Sequence, residues 1–167
     1  PKDRLHKMVS KKFTTRDGEN IYGYLTMPKG EVERLIVYIH GGPYGIRDFD
    51  SYDFSEQYLA SKGAAILKVN YRGSGGYGTD FMEDAYKEWG GRLLNDIADA
   101  TKVVQQELGI GREQTCAFGA SYGGYAALAM AYKHSELYEC VAGGMGVYDM
   151  QILRDGTDDS IYTTQAD

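Results

Sequence analysis

A serine flanked by glycines is the residue of this sequence best suited to covalent chemistry. Residues 119–123 read Gly-Ala-Ser-Tyr-Gly, which places Ser121 between an apolar run and a segment rich in small residues. Glycines are needed where a strand turns sharply into a helix, because the neighbouring backbones come too close for side chains. The helix that follows directs its positive N-terminal end at the place where an oxyanion would form. The sequence therefore predicts that Ser121 is a nucleophile held in a strained backbone conformation.

A second glycine-rich segment, His-Gly-Gly-Pro at residues 40–43, follows another apolar run. The backbone N–H groups of such a loop can stabilise the oxyanion of acyl transfer, since only glycine lets the main chain approach a substrate carbonyl closely. Either Gly41 or Gly42 is the predicted donor, with the N–H of Tyr122 as its partner. His40 precedes the nucleophile, whereas the catalytic histidine follows it in enzymes with this type of turn. We therefore expect His40 to hold the loop by hydrogen bonds rather than to act as the base.

The elements that must position these two segments alternate between strands and helices. An Asp-Gly turn predicts an antiparallel hairpin at the start of the chain. Strands separated by helices then predict a mostly parallel sheet covered on both faces, which is an α/β fold. The predicted strands are residues 8–15, 20–27, 34–39, 64–70, 114–118 and 138–142, and the predicted helices are residues 54–62, 93–108 and 122–133.

Composition narrows the range of functions. The chain has 167 residues, of which 43% are hydrophobic, so one domain with a substantial core is expected. A formal net charge of −6 argues against binding to nucleic acid or to an anionic membrane. The sequence contains no apolar run of 18 residues and no signal-peptide pattern. Residues 73–78 have the glycine spacing of a phosphate loop but lack its lysine, so no nucleotide cofactor is predicted.

The two cysteines both lie in apolar, strand-like runs. This placement predicts that Cys116 and Cys140 are buried free thiols rather than a disulfide or metal ligands. No metal site is predicted. Free thiols and the lack of a signal peptide slightly favour the cytoplasm, and a periplasmic location stays open.

Four motifs occur in order along the chain. They are His-Gly-Gly-Pro at 40–43, Asn-Tyr-Arg-Gly-Ser-Gly-Gly-Tyr-Gly at 70–78, Trp89-Gly90 with Asp96 on the next helix, and Gly-Ala-Ser-Tyr-Gly-Gly-Tyr at 119–125. Together they resemble the prolyl oligopeptidase family, and within it the acylaminoacyl-peptidase and dipeptidyl-peptidase-like branch. The resemblance extends from about Lys11 to Asp149.

This resemblance implies an α/β-hydrolase fold and a serine peptidase that acts on short peptides. Ser121 would form the acyl-enzyme and the N–H of Tyr122 would lie in the oxyanion hole. Prolyl-specific members carry a tyrosine in place of His40, and its hydroxyl serves as the second oxyanion donor. Because this tyrosine is absent here, the second donor is expected to be an N–H group of the loop. The resemblance therefore does not imply specificity for proline.

The catalytic acid and histidine have no clear candidates. His134 is the single histidine after Ser121, and it lies at the far end of the helix that Ser121 begins, roughly 20 Å away. Asp149 follows the next strand, where a few α/β hydrolases place their acid, but no histidine is left for it to orient. A serine without a base is a poor nucleophile. We therefore expect residues 1–167 to be the N-terminal part of an α/β-hydrolase catalytic domain, incomplete on its C-terminal side and inactive alone.

Three functions follow from these residues: a serine peptidase, a carboxylesterase of the same fold, or a non-catalytic hydrolase-fold module that binds ligands. The predicted partner is a peptide substrate, with no nucleic acid and no membrane. In a complete sheet of this kind the strand near residues 138–143 is an interior strand. Its backbone is therefore expected to pair with the missing C-terminal segment or with a second copy of the chain.

Overall fold

Six strands and five helices alternate along residues 5–156, the part of the chain that the computed structural model describes. The strands are β1 (Lys7–Thr14), β2 (Asn20–Met27), β3 (Arg34–Ile39), β4 (Ala64–Asn70), β5 (Thr115–Ala120) and β6 (Cys140–Gly144). The helices are α1 (Phe54–Ser61), α2 (Thr79–Glu83), α3 (Arg92–Leu108), α4 (Tyr122–Lys133) and α5 (Met150–Gly156), with a 3₁₀ turn at Arg112–Gln114.

All six strands form one sheet in the order β1-β2-β4-β3-β5-β6. β1 and β2 form the antiparallel hairpin expected from the Asp-Gly turn, and β2 also runs antiparallel to β4. The remaining pairs are parallel. The predicted mostly parallel sheet with an N-terminal hairpin is confirmed.

Helices lie on both faces of this sheet. α3 and α4 pack on one face, where α4 contacts β3, β5 and β6, whereas α1 packs on the opposite face against β2 and β4. Every residue of β4 is buried, as expected for a strand covered on both sides. α3 ends at Gly109, which takes the left-handed conformation that favours glycine at this position. The core therefore fixes the carboxyl ends of β3, β4 and β5 at one edge of the molecule.

The face that carries α1 is open over β5 and β6. A cleft of about 890 Å³ lies there, and the side chain of Phe118 on its floor is 40% exposed. β6 is the edge strand within residues 5–156, and its pairing with a further strand stays a prediction. β6 begins at Cys140 rather than at residue 138. Tyr138, which precedes it, is buried, and its hydroxyl lies 2.8 Å from Oγ1 of Thr101.

The prediction of two buried free thiols is wrong. Cys116 of β5 pairs directly with Cys140 of β6 in the parallel register, and the two form a disulfide with their Cα atoms 4.6 Å apart. Direct register places both side chains on the same face of the sheet, within bonding distance. Cys140 is exposed and Cys116 is only partly buried. The two cysteines therefore do not favour a cytoplasmic location.

Two short helices, α2 and α5, were not expected from the sequence, because five to seven residues carry too little apolar periodicity to be recognised. Every helix within residues 5–156 is too short or too polar to cross a membrane.

Candidate active site

Ser121 lies at the turn between β5 and α4, and its side chain is exposed to solvent. Its backbone has φ 58° and ψ −127°, a positive-φ conformation outside the regions that a residue with a side chain normally adopts. Such strain persists only where the surroundings fix it, and it is typical of functional sites. Ser121 therefore lies just beyond the carboxyl end of β5, at the start of α4.

The glycines around Ser121 are required by close backbone approach. A Cβ atom at Gly119 would collide with the carbonyl of Gly123, and one at Gly123 would collide with the carbonyl of Ile39. β5 and β3 are paired at this point, with Ile39 opposite Gly119. α4 can therefore begin directly above β3 and β5, which directs its N-terminal N–H groups toward Ser121.

β6 supports the turn from its other side. The N–H of Ser121 donates a 3.0 Å hydrogen bond to the carbonyl of Gly144, the last residue of β6. A Cβ atom at Gly124 would come within 2.8 Å of the same carbonyl, so α4 and the end of β6 are in tight contact. Three strand ends thus converge on Ser121.

The glycine-rich loop after β3 lies against Ser121. A Cβ atom at Gly41 would lie 3.4 Å from Cβ of Ser121 and 3.9 Å from its Oγ. The absence of a side chain at Gly41 leaves room beside the hydroxyl. Gly42 has φ 126° and is followed by a cis peptide bond to Pro43. Within residues 5–156, no acceptor is bonded to the N–H of Gly42 or of Tyr122, so both remain available to a ligand.

His40 faces away from Ser121 into the protein, where only 6% of the residue is exposed. Its Nδ1 lies 2.7 Å from the Gly41 carbonyl, and its Nε2 lies 3.0 Å from Oγ of Ser74. The ring stacks on Tyr71, with the two centroids 4.3 Å apart. Burial lowers the pKa of His40 from 6.5 to about 4, so the ring is neutral near pH 7. Both ring nitrogens are occupied in holding the loop.

The other two histidines in the described part of the chain are remote from Ser121. His134 caps the opposite end of α4, about 18 Å away for a helix of twelve residues, and burial lowers its pKa. His6 precedes β1 at the far edge of the sheet, where its backbone N–H donates to Gln57. Asp149 caps α5, since its Oδ1 accepts from the N–H groups of Gln151 and Ile152. Residues 5–156 therefore bring no base to the Ser121 hydroxyl.

The side chain of Tyr122 anchors the start of α4. It is fully buried, its hydroxyl donates to the carbonyl of Trp89 at 2.8 Å, and the Trp89 ring meets it edge-on. Trp89 Nε1 in turn donates to the hydroxyl of Tyr44 at 2.9 Å. These aromatic contacts fix the backbone that carries the N–H of Tyr122.

Comparison with known proteins agrees with this geometry. A sequence model of the prolyl oligopeptidase family matches residues 50–167, more than half of the chain. The chain belongs to the prolyl oligopeptidase family. The resemblance seen in the four motifs is thereby confirmed, and the relatives in this family are serine peptidases.

Individual relatives of the prolyl oligopeptidase family are considerably longer. Dipeptidyl aminopeptidase BIII of Pseudoxanthomonas mexicana is 32% identical over 151 residues, which is 84% of this chain and 22% of that protein. Acylamino-acid-releasing enzyme 1 of Oryza sativa subsp. japonica is 34% identical over 90 residues, which is 54% of this chain and 12% of that protein. The chain therefore spans less than a quarter of the length of these relatives.

Solved structures show the same α/β-hydrolase fold. Puromycin hydrolase superposes with a TM-score of 0.83 at 27% identity, over 93% of this chain and 25% of that one. An acylaminoacyl peptidase in complex with Z-Gly-Gly-Phe-chloromethyl ketone superposes with a TM-score of 0.82 at 26% identity, over 95% of this chain and 26% of that one.

Several residues at this prolyl oligopeptidase-family site were not singled out from the sequence. Tyr71 and Ser74 bond to His40, and Gly144 accepts from Ser121. The sequence did contain a signal for the first two. They follow β4, which is parallel to β3, and the carboxyl ends of neighbouring parallel strands lie at one edge of the sheet. The loops at residues 40–48 and 70–78 could therefore be expected to touch.

Proposed function

We propose that the protein to which this chain belongs hydrolyses peptide bonds of short peptides through an acyl-enzyme on Ser121. The observation that carries the proposal is the position of Ser121, which is exposed, held at φ 58° at the N-terminus of α4, and next to Gly41. Membership of a family of serine peptidases supports the same chemistry. The names dipeptidyl aminopeptidase and acylamino-acid-releasing enzyme favour short peptides as substrates.

In this proposal Oγ of Ser121 attacks the scissile carbonyl and gives its proton to a base. The carbonyl oxygen becomes an oxyanion that accepts hydrogen bonds from the N–H groups of Tyr122 and Gly42. Collapse of this intermediate breaks the C–N bond, and the leaving amine takes up the proton that the serine gave. Water then hydrolyses the ester and regenerates the hydroxyl. Gly41 contributes space beside Oγ, which the substrate carbonyl fills.

We assign the base and the acid that orients it to a part of the protein outside residues 5–156. His40 has both ring nitrogens occupied, and His134 lies at the wrong end of α4. A serine hydroxyl needs such a base near neutral pH. Residues 1–167 thus supply the nucleophile and the oxyanion hole of a larger catalytic domain.

A fluorophosphonate probe on the full-length protein tests the assignment. Wild-type protein should be labelled on Ser121, and Ser121→Ala should lose both labelling and peptide hydrolysis. The exposed Ser55→Ala is the control and should keep both. Labelling that persists in Ser121→Ala would refute the nucleophile. Turnover of p-nitrophenyl esters without turnover of peptides would point to a carboxylesterase, and an unlabelled wild type to a binding module.

A further inference from the structure

The oxyanion loop (residues 40–48) is hydrogen-bonded along its length to residues 70–75, which comprise the last residue of β4 and the loop that follows it. Asn70 accepts from the backbone N–H of Asp48 at 2.8 Å and donates to its carbonyl at 3.1 Å. Two backbone hydrogen bonds, from Gly45 to Gly73 at 2.9 Å and from Gly75 to Ile46 at 3.0 Å, join the same loops. These hydrogen bonds to the end of β4 and the loop after it therefore hold the oxyanion loop in its conformation.

The hydrogen bonds of His40 determine which ring nitrogen carries the proton. Nδ1 lies 2.7 Å from the carbonyl of Gly41, which can only accept, so Nδ1 must be the donor. The hydroxyl of Tyr71, 3.1 Å from Nδ1, uses its own proton on the carbonyl of His40 at 2.8 Å. Nε2 of the neutral ring is then an acceptor, and the hydroxyl of Ser74, 3.0 Å away, is its donor.

The direction of the Gly41 carbonyl decides where the next N–H points. The peptide bond between Gly41 and Gly42 is trans, whereas the bond from Gly42 to Pro43 is cis. In a trans peptide the C=O and N–H groups point in opposite directions. Since His40 holds the Gly41 carbonyl on the buried side, the N–H of Gly42 points away from the imidazole.

We propose that Ser74 is a positioning residue for the oxyanion hole. By donating to Nε2 of His40 it holds the imidazole in the orientation in which Nδ1–H bonds the Gly41 carbonyl, and so aims the N–H of Gly42. This inference rests on the proposed function, because it assumes that Gly42 serves as an oxyanion donor.

Among residues 5–156, Ser74 is the one hydrogen-bond partner of Nε2 of the imidazole. Ser74 is fully buried, and its backbone N–H donates to the carbonyl of Tyr71 at 3.0 Å, which holds the residue in place. Because burial keeps His40 neutral near pH 7, Nε2 carries a lone pair that needs a donor. Without the Ser74 hydroxyl, the buried Nε2 loses that donor and the orientation of the ring is less constrained.

Steady-state kinetics of Ser74→Ala in the full-length protein test this role. We expect kcat to fall about 10- to 100-fold, because a misplaced oxyanion donor weakens the transition state, while KM changes less than about threefold. A peptide aldehyde, whose hemiacetal oxygen occupies the oxyanion hole, should bind more weakly by the same factor as the loss in kcat. Imidazole ¹⁵N shifts of His40 should show a proton on Nδ1 in the wild type, and the Nε2 resonance should shift in the variant because Nε2 loses its hydrogen bond.

Thr101→Val is the matched control, since it also removes a buried hydroxyl but lies in α3 beside Tyr138. It should keep the wild-type kcat and aldehyde affinity. Ser74→Cys preserves the size of the side chain with a weaker donor, and it replaces Ser74→Ala if that variant does not fold. Wild-type kcat and an unchanged Nε2 shift in the soluble Ser74 variant would overturn the inference. If Ser121→Ala keeps its activity, the proposed function fails instead, and the Nε2 shift of His40 still tests whether Ser74 holds the ring.

Discussion

Arg72 and Asp96 form a buried ion pair in which Nη2 of the guanidinium lies 2.6 Å from Oδ1 of the carboxylate, and neither side chain is more than 3% exposed. The backbone N–H of Arg72 also donates to Asp96 at 3.0 Å. The pair ties α3 to the loop after β4, which carries Tyr71 and Ser74. The guanidinium reaches outward to Asp17, and this hydrogen bond lowers the pKa of Asp17 far below its usual value.

Asp96→Asn should destabilise the protein by about 3 kcal/mol or more, because it leaves the Arg72 charge buried without its main partner. Asp99→Asn is the matched control on the same helix. Its partner Arg16 is half exposed, so the loss should be about 1 kcal/mol or less. Urea unfolding of the full-length protein measures both. Equal losses for the two variants would contradict a special role for the buried pair.

Asp48→Asn should stabilise the protein above pH 6. The pKa of Asp48 is raised from 3.8 to about 6, chiefly by burial, with the negative charges of Glu56 and Asp53 adding to the effect and Lys68 opposing it. Oδ2 of Asp48 is buried and has no hydrogen-bond partner. The ionised carboxylate therefore costs folding free energy, a cost that is absent below about pH 4 and complete above pH 6.

The expected gain is about 1–3 kcal/mol at pH 7, and it should vanish near pH 4. Unfolding curves at a series of pH values measure it. The exposed Asp50→Asn, two residues away, should change stability by about 0.5 kcal/mol or less at every pH. A wild type that is more stable than Asp48→Asn at pH 7 would show that the carboxylate has a partner of its own.

Reduction of the Cys116–Cys140 disulfide should lower stability by about 3 kcal/mol, the entropy expected for a cross-link across 24 residues. Unfolding in the presence and absence of dithiothreitol measures the difference. The double variant Cys116→Ala/Cys140→Ala should be less stable than the oxidised wild type and insensitive to the reductant. Alkylation of both cysteines in the folded, unreduced protein, seen by mass, would show that the bond is not formed.

The sequence predicted the fold well where an apolar run has clear boundaries. β3, β4 and α4 have the expected bounds, and α3 ends at Leu108 as predicted. The disulfide could not be predicted in this way. Whether Cys116 faces Cys140 depends on the register of two strands that are separated by α4, and a shift of one residue would turn one side chain to the other face.

The position of Ser121 at a strained turn was predictable from the sequence, and the residues that support it were less so. The glycines that flank Ser121 point to a strained turn because of their residue type alone. The hydroxyl of Ser74 gives no such signal. Its contact with His40 spans 34 positions in the sequence and depends on how two loops pack at the sheet edge. Local sequence patterns therefore predict the position of Ser121, whereas the residues that support it are determined by tertiary packing.

The hydrogen bond from the N–H of Ser121 to the carbonyl of Gly144 joins two residues that are made at different times during synthesis. A ribosome adds Gly144 only after the whole of α4, so a nascent chain that has just emerged with Ser121 lacks the acceptor that holds the turn. The acceptor for the N–H of Ser121 is therefore in place only after β6 has been made and has paired with β5.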